Sequence, residues 1–458
     1  MMSISARAEE GPAVPRRQLT LWDSTSIIVG IIIGSSIYES TPLVARSVSG
    51  VAALTAAWLL GGLLSLLGAL CYAELISAYP ADGGDYVYLT RAFGRHAGFL
   101  FAWVQFWIVR PGSIGSLAYV FARYANRLWP LGEGPWPLVA YAVASITVLS
   151  GINLLGVSEG KWTQNLLTAI KCLGLAAIGL AGFFFGSAHS RVAAAAASAP
   201  TGPAGGFGLA MIMILFAYSG WNEMAYVGSE LRDPRKNILR ALLLGTAAVT
   251  TLYLLVNLAF LYALGLAGLR QSEAVAADVL RLGLGPAGSA AISALICVSA
   301  LGAINGMIFT GSRIYYAMGA EHRFWSWIGQ WNARRDAPVR SLVIQAAVTI
   351  ALVVAFGRRE EGFRSSVIFT GPPFWIFFFL VGVALLVLRR REPQHPRPYR
   401  VPLYPLVPLV FCLSSGLMTY SSLVYALHEQ FYGVLGSIGV AALGLLISRF
   451  ERRVGSEQ

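Results

Sequence analysis

Residues 21 to 44 form an almost continuous apolar run, long enough to cross a bilayer as one helix. Its middle nevertheless reads Gly34-Ser35-Ser36-Ile37, followed by Glu39 and Pro42. In hydrocarbon, freed backbone N–H and C=O groups find no water, so a helix breaks there only where the break is buried in protein or lines a cavity. The N–H groups that open the second half-helix carry the positive end of its dipole, which is a seat for a carboxylate. A glycine-flexed packing helix is the plainer alternative, because glycine is frequent in membrane segments.

The rest of the chain supports a membrane setting. Of 458 residues, 56% are hydrophobic and 12% are charged, about half the charge a soluble domain carries. Hydropathy marks about twelve spans, so nearly all of the chain forms one integral membrane domain. Residues 1–19 are too polar for a signal peptide, and the first apolar run shows no cleavage site. Cys71, Cys172, Cys297 and Cys412 all fall inside apolar runs and imply no disulfide framework. The net charge of +12 reports topology and not nucleic-acid binding. Most Lys and Arg lie in the two tails and in alternate loops, which places both termini in the cytoplasm. Arg110, Lys171 and Arg313 are the cations placed within spans.

The sixth run, at about residues 207–227, repeats the peculiarity of the first: Phe216-Ala217-Tyr218-Ser219-Gly220-Trp221-Asn222-Glu223 puts small and polar residues in mid-span. The two interrupted runs lie five spans apart, and an odd offset inverts the second copy. Paired broken helices in corresponding positions of two halves point to a transporter with its site where the repeats meet. The alanine-rich stretch 193–203 reads as an external loop without chemistry, and 270–282 as a short surface helix.

These residues, in this order, resemble the L-type amino acid transporter family of the amino acid–polyamine–organocation superfamily. The resemblance runs from Ile27 to about Pro408. It is carried by the run 27–37, by Tyr72-Ala73-Glu74-Leu75 with Gly83-Gly84-Asp85-Tyr86, and by Arg110-Pro111. Further on it is carried by residues 216–222, by Asp233-Pro234-Arg235-Lys236-Asn237, and by residues 305–313. It implies an all-α integral membrane protein of about twelve transmembrane helices with a LeuT-like five-plus-five inverted repeat, discontinuous first and sixth helices, and alternating access. The expected organisation is a cytoplasmic tail over 1–20, one transmembrane domain over 21–450 and a cytoplasmic tail over 451–458. Within the domain the repeats fall at about 21–187 and 206–390, with two further helices at about 402–450. The resemblance also implies a prokaryotic, multi-pass protein of the inner (plasma) membrane.

By the same resemblance, the carboxylate of an amino acid meets backbone N–H groups around Ser35, Ser36 and Ile37, its ammonium meets the carbonyls of Ile32, Phe216 and Ser219, and Gly34 belongs to the same substrate-binding set. A zwitterion needs a donor cluster and an acceptor cluster a few ångströms apart, and two broken helices supply both. Ser36 and Ser219 stand where the family usually has glycine, so the pocket is expected to be narrower or richer in hydroxyls. Glu39 and Glu223 stand where it usually has uncharged residues. The loop 127–137 lacks the cysteine through which animal members bond a heavy chain, so no disulfide-linked heavy chain is expected.

Single residues carry two readings each. Lys171 in the fifth run either replaces a metal between the first and eighth helices, as the resemblance implies, or snorkels to the cytoplasmic surface. Arg110 pairs with Glu39 or Glu223, or contacts substrate. Phe216 closes over the substrate or packs, Asn222 bonds backbone or substrate, and Trp375 with Phe374 lines the pocket or faces lipid. The five histidines sit in loops or near span ends and form no metal cluster, and no cofactor is implied. A membrane enzyme would need a nucleophile–base pair in the spans, and none is present in the sequence pattern. Exchange of neutral amino acids is the function expected. The alternatives are proton-coupled uptake with Lys171 titrating, and transport of cationic amino acids or polyamines through Glu39 and Glu223.

Overall fold

The computed structural model describes residues 15–186, 206–357, 362–429 and 431–450. The stretch 193–203 and the tail 451–458 discussed above lie outside these residues. The first apolar run folds as two helices, α1 (Leu21–Ile32) and α2 (Ser36–Ser47), bent by 50° at the break. A capping box starts α1: the Thr20 hydroxyl accepts from the Asp23 amide, and the Asp23 carboxylate accepts from the Thr20 amide.

Next come α3 (Val51–Ala78) and the short α4 (Asp85–Phe93). The third span is α5 (Arg95–Val104), a π-helical turn (Gln105–Val109) and α6 (Arg110–Leu128). Hydropathy does not register that turn, which ends directly at Arg110. The fourth and fifth spans are α7 (Pro135–Leu155) and α8 (Val157–Phe185).

The second set opens with α9 (Gly206–Ala217), which stops at a turn over residues 218–220 and continues as a 3-10 segment (Trp221–Tyr226). It continues through α10 (Pro234–Gln271), the short α11 (Val275–Leu284), α12 (Ala287–Glu321), α13 (Val339–Phe356) and α14 (Gly362–Arg391). The chain finishes with α15 (Leu406–Glu429) and α16 (Phe431–Phe450). Each set thus has five spans with the break in its first. The short helices α4 and α11 fall in matching places, between the second and third spans of their sets.

Among the described residues, nine helices are long and apolar enough to cross a membrane, and the bent α1–α2 pair makes a tenth. The interrupted third and sixth spans complete the set of about twelve. The fold is therefore all-helical, multi-pass and LeuT-like. Two boundaries differ from the apolar pattern. The seventh span starts at Pro234 and passes a break at Gly265 (φ 68°) before it ends, and the short helix expected over 270–282 forms at Val275–Leu284.

The core sits around α12. Of its spanning window 72% is buried, against 17% for α16, so α12 is an interior helix and α16 a peripheral one. Ser299, Asn305, Thr310 and Arg313 on α12 are accordingly buried polar groups. At the amino-terminal face, the amides of Gln18 and Leu19 both donate to the Glu230 carbonyl at 2.9 Å, and the Arg232 amide donates to the Leu19 carbonyl at 2.9 Å. Beneath this pairing, Arg313 and Glu230 form a fully buried ion pair at 2.7 Å. The buried carboxylate of Glu74, from the Tyr72–Leu75 motif, accepts from Arg389 Nε and from the Val401 amide, both at 2.7 Å. It fastens α3 to the end of α14.

Candidate functional site

The two breaks touch. Gly220 has φ 123°, a conformation that side chains strain to adopt. A Cβ added there would lie 2.8 Å from Ile31 Cγ2 and 3.2 Å from the Ile32 amide nitrogen. Only glycine lets the second break lie on the last turn of α1. The Tyr253 hydroxyl of α10 then ties both ends together, its single hydrogen shared between the Ile32 carbonyl at 3.1 Å and the Ala217 carbonyl at 3.3 Å.

On the α2 side, Ser35 is the N-cap but makes no side-chain capping bond. The first amides of a helix have no partner within it, so Ser36 and Ile37 open α2 without a capping hydroxyl. The Gly34 amide turns back to the Ile32 carbonyl at 2.8 Å. Ser35 and Ile37 are buried and Ser36 is half-buried. Opposite, the carbonyl of Phe216 accepts from the Ser219 hydroxyl at 2.7 Å. That serine, which stands in place of the family's glycine, therefore satisfies one of the carbonyls assigned to the ammonium. The Phe216 ring is 51% exposed, so it is not held in the core.

Lys171 is completely buried on α8. Its ammonium donates to the carbonyls of Gly30 at 2.7 Å, Ile33 at 3.0 Å and Ser299 at 3.0 Å, and so joins α1, the break and α12. Three acceptors use all three of its hydrogens. The Ser299 hydroxyl adds a further bond to the Ile33 carbonyl at 3.0 Å. Gly302 on α12 leaves the room for this: a Cβ there would lie 2.7 Å from the Lys171 nitrogen.

Arg110 is buried beside the second break. Of the two carboxylates considered for it, Glu223 is the partner, at 2.8 Å, whereas Glu39 is exposed on α2. The Thr310 hydroxyl donates to the same Glu223 oxygen, and the Arg110 guanidinium lies 4.9 Å from the centre of the Tyr226 ring. A buried pair with a further hydroxyl donor keeps its charges compensated.

Asn222 bonds neither backbone nor lipid-facing groups. Its Nδ2 donates to the Tyr226 hydroxyl at 3.3 Å, and that hydroxyl donates to Asp85 Oδ2 at 2.9 Å. Trp375 is buried and packs edge-on against Phe374 and Phe378, with ring centres at 5.3 and 5.6 Å. Phe378 in turn meets Trp221 at 5.4 Å, so Trp375 reaches the second break through this aromatic cluster. Tyr253 and Tyr226 are parts of the site that no sequence pattern singled out, and Asp85, quoted in sequence only within the motif Gly83–Tyr86, borders it. Among the described residues, no three His, Cys, Asp or Glu side chains converge as metal ligands.

Residues 19–441 match the model of the amino acid permease family. The serine/threonine exchanger SteT of Bacillus subtilis (strain 168) is 30% identical over 445 residues, which is 96% of this chain and 98% of that protein. The Asc-type amino acid transporter 1 of Mus musculus is 34% identical over 404 residues, covering 86% and 74%. The b(0,+)-type amino acid transporter 1 of Mus musculus is 29% identical over 412 residues, covering 89% and 83%.

Proposed function

We infer, from the premise that this chain belongs to the amino acid permease family, that it exchanges neutral amino acids across the membrane by alternating access without sodium. The substrate carboxylate sits on the amides that open α2, at Ser35, Ser36 and Ile37, with Gly34 at the turn beside them. The ammonium faces the carbonyls of Ile32, Phe216 and Ser219, and Asn222 and Trp375 complete the walls. Phe216 closes the site from outside. Lys171 stands where a metal ion would otherwise join the first and eighth spans, and Arg110 with Glu223 holds the second break in place.

The observation that carries this reading is the contact of the two breaks at Gly220 and Ile32, with the Lys171 ammonium fixed to three carbonyls beside it. Broken backbone deep in a membrane protein persists only around a cavity or within protein, and two breaks in contact support a site between them. Charge distribution supports an inner-membrane protein with both termini in the cytoplasm. The loop 127–137 has no cysteine, which supports a transporter working without a disulfide-linked partner.

The test is uptake of radiolabelled amino acids by purified protein in liposomes. Exchange requires unlabelled amino acid inside. Concentrative uptake into empty liposomes driven by a pH step would replace exchange with proton symport.

A further inference from the structure

We propose that Asp85, outside the substrate site, sets through Tyr226 which edge of the Asn222 amide faces the second break, and thereby makes substrate recognition depend on whether Asp85 holds a proton. This rests on the reading that the two breaks bind the substrate.

Asp85 is the first residue of α4, a short helix outside the spans, and is 1% exposed. The chain of bonds runs from Asn222 Nδ2 to the Tyr226 oxygen and from the Tyr226 hydrogen to Asp85 Oδ2. At one end Asn222 Oδ1 is buried without any hydrogen-bond partner, and at the other the Asp85 carboxylate also faces the Tyr72 hydroxyl. Buried polar atoms are nearly always paired, so the unpartnered Asn222 oxygen at the end of this chain marks a place where something else binds or a proton moves.

A hydroxyl has a single hydrogen, so the chain has a direction. With Asp85 ionised, every hydrogen points toward the carboxylate and Asn222 presents its carbonyl oxygen, an acceptor. When a proton binds Asp85, its O–H donates to the Tyr226 oxygen and the Tyr226 hydrogen turns toward Asn222. The amide must then rotate to bring its oxygen to Tyr226, which leaves its NH2, a donor, at the free edge. One proton is gained, no other covalent bond changes, and both hydrogen bonds of the chain re-form with donor and acceptor exchanged. The Asn222 edge thus changes polarity beside the carbonyls of the second break.

The surroundings place this event near neutral pH. Burial pushes the Asp85 carboxyl up to about 7; the Tyr226 and Tyr72 hydrogen bonds and Arg110 act against that rise and Glu223 adds to it. The titratable and charged groups facing Asp85 are Tyr72 on α3, Tyr88 on α4, Glu223 and Tyr226 of the second break, and Arg110 on α6. Around them α5 and α14 contribute the rings of Phe101 and Phe378, and Arg313 of α12 is taken up by Glu230.

Exchange of a labelled neutral amino acid, with KM measured between about pH 5.5 and 8.5, tests the switch. Wild type should show a several-fold change in KM centred near neutral pH. Asp85→Asn, which cannot titrate, should show none, and neither should Tyr226→Phe, which removes only the bridging oxygen. The same pH dependence in either variant, or a pH-independent KM in wild type, overturns the proposal. Infrared difference spectra test Asp85 without relying on transport: burial also pushes Asp82 up to about 7, so the protonated-carboxyl band that vanishes near neutral pH in wild type should lose its Asp85 component in Asp85→Asn, and an unchanged band in that variant overturns the assignment. If wild type exchanges no amino acid, the substrate reading fails, and the infrared result still decides whether Asp85 titrates.

Discussion

The Lys171 ammonium lies 2.7 Å from the carbonyl oxygen of Gly30, in the place a continuing helix would give to the amide of Gly34. That amide instead turns back to Ile32, and Lys171 with Ser299 takes over the carbonyls that the break releases. The lysine is therefore part of how α1 ends. Its contacts are all with backbone oxygen, which every sequence variant of α1 would keep.

Lys171→Ala should leave three buried carbonyls short of a charged donor, at about 1.5–3 kcal/mol for each charge-assisted bond. Transport in liposomes should fall at least tenfold while the protein is still made. Wild-type exchange in that variant would show that the three-carbonyl bridge has no part in the cycle. Gly302→Ala, which crowds the same nitrogen, should lower transport in the same direction.

Glu223→Gln should strand the buried Arg110 charge. Removing one partner of a buried pair costs about 3–5 kcal/mol, whereas replacing both by apolar residues of similar size is often neutral. Thermal unfolding in detergent should thus rank the variants: Glu223→Gln well below wild type, and Arg110→Met with Glu223→Leu recovering most of the loss. A single variant as stable as wild type would mean that the pair is not closed in the protein.

Bulky residues at Ser35 or Ser36 should abolish uptake without loss of expression, because they fill the start of α2 where the carboxylate is placed. Amino acid methyl esters and amides should compete poorly, and equal competition by an ester would remove the carboxylate from that position. Ser36→Gly should admit larger side chains, read as improved competition by leucine and phenylalanine relative to alanine.

Tyr253→Phe removes the hydroxyl that joins the ends of α1 and α9 and otherwise keeps the ring. Each neutral hydrogen bond contributes about 0.5–1.5 kcal/mol, so the fold should persist and transport should weaken several-fold. Unchanged kinetics would show that the Gly220 contact alone holds the breaks in register.

The breaks were legible because glycine, serine and charge inside an apolar run contradict an unbroken helix, and Lys171 because an ammonium in a span demands an explanation. Which acid Arg110 chooses was not legible: Glu39 and Glu223 both lie near a break, and only the folded chain brings Glu223 to the guanidinium. Tyr253 looks in sequence like any aromatic of a membrane helix, since its role depends on a carbonyl more than two hundred positions away. Asp85 sits in a motif that reads as a turn. Its burial follows from α4 folding back beneath the second break, which no local pattern records.

The pairing of residues 18–19 with 230–232 has a mechanical consequence. The free end of the first span and the segment beyond the second break are zipped edge to edge, and Asp23 is pinned alongside by Lys161 and by Asn165, whose amide donates at 2.7 Å. A swing of α1 away from this face would have to part all of these links together, because they lie within one turn of the same helix end. The face then behaves as a snap fastener, shut or released with few stable positions between, and a load fused to the amino terminus would pull on the fastener itself.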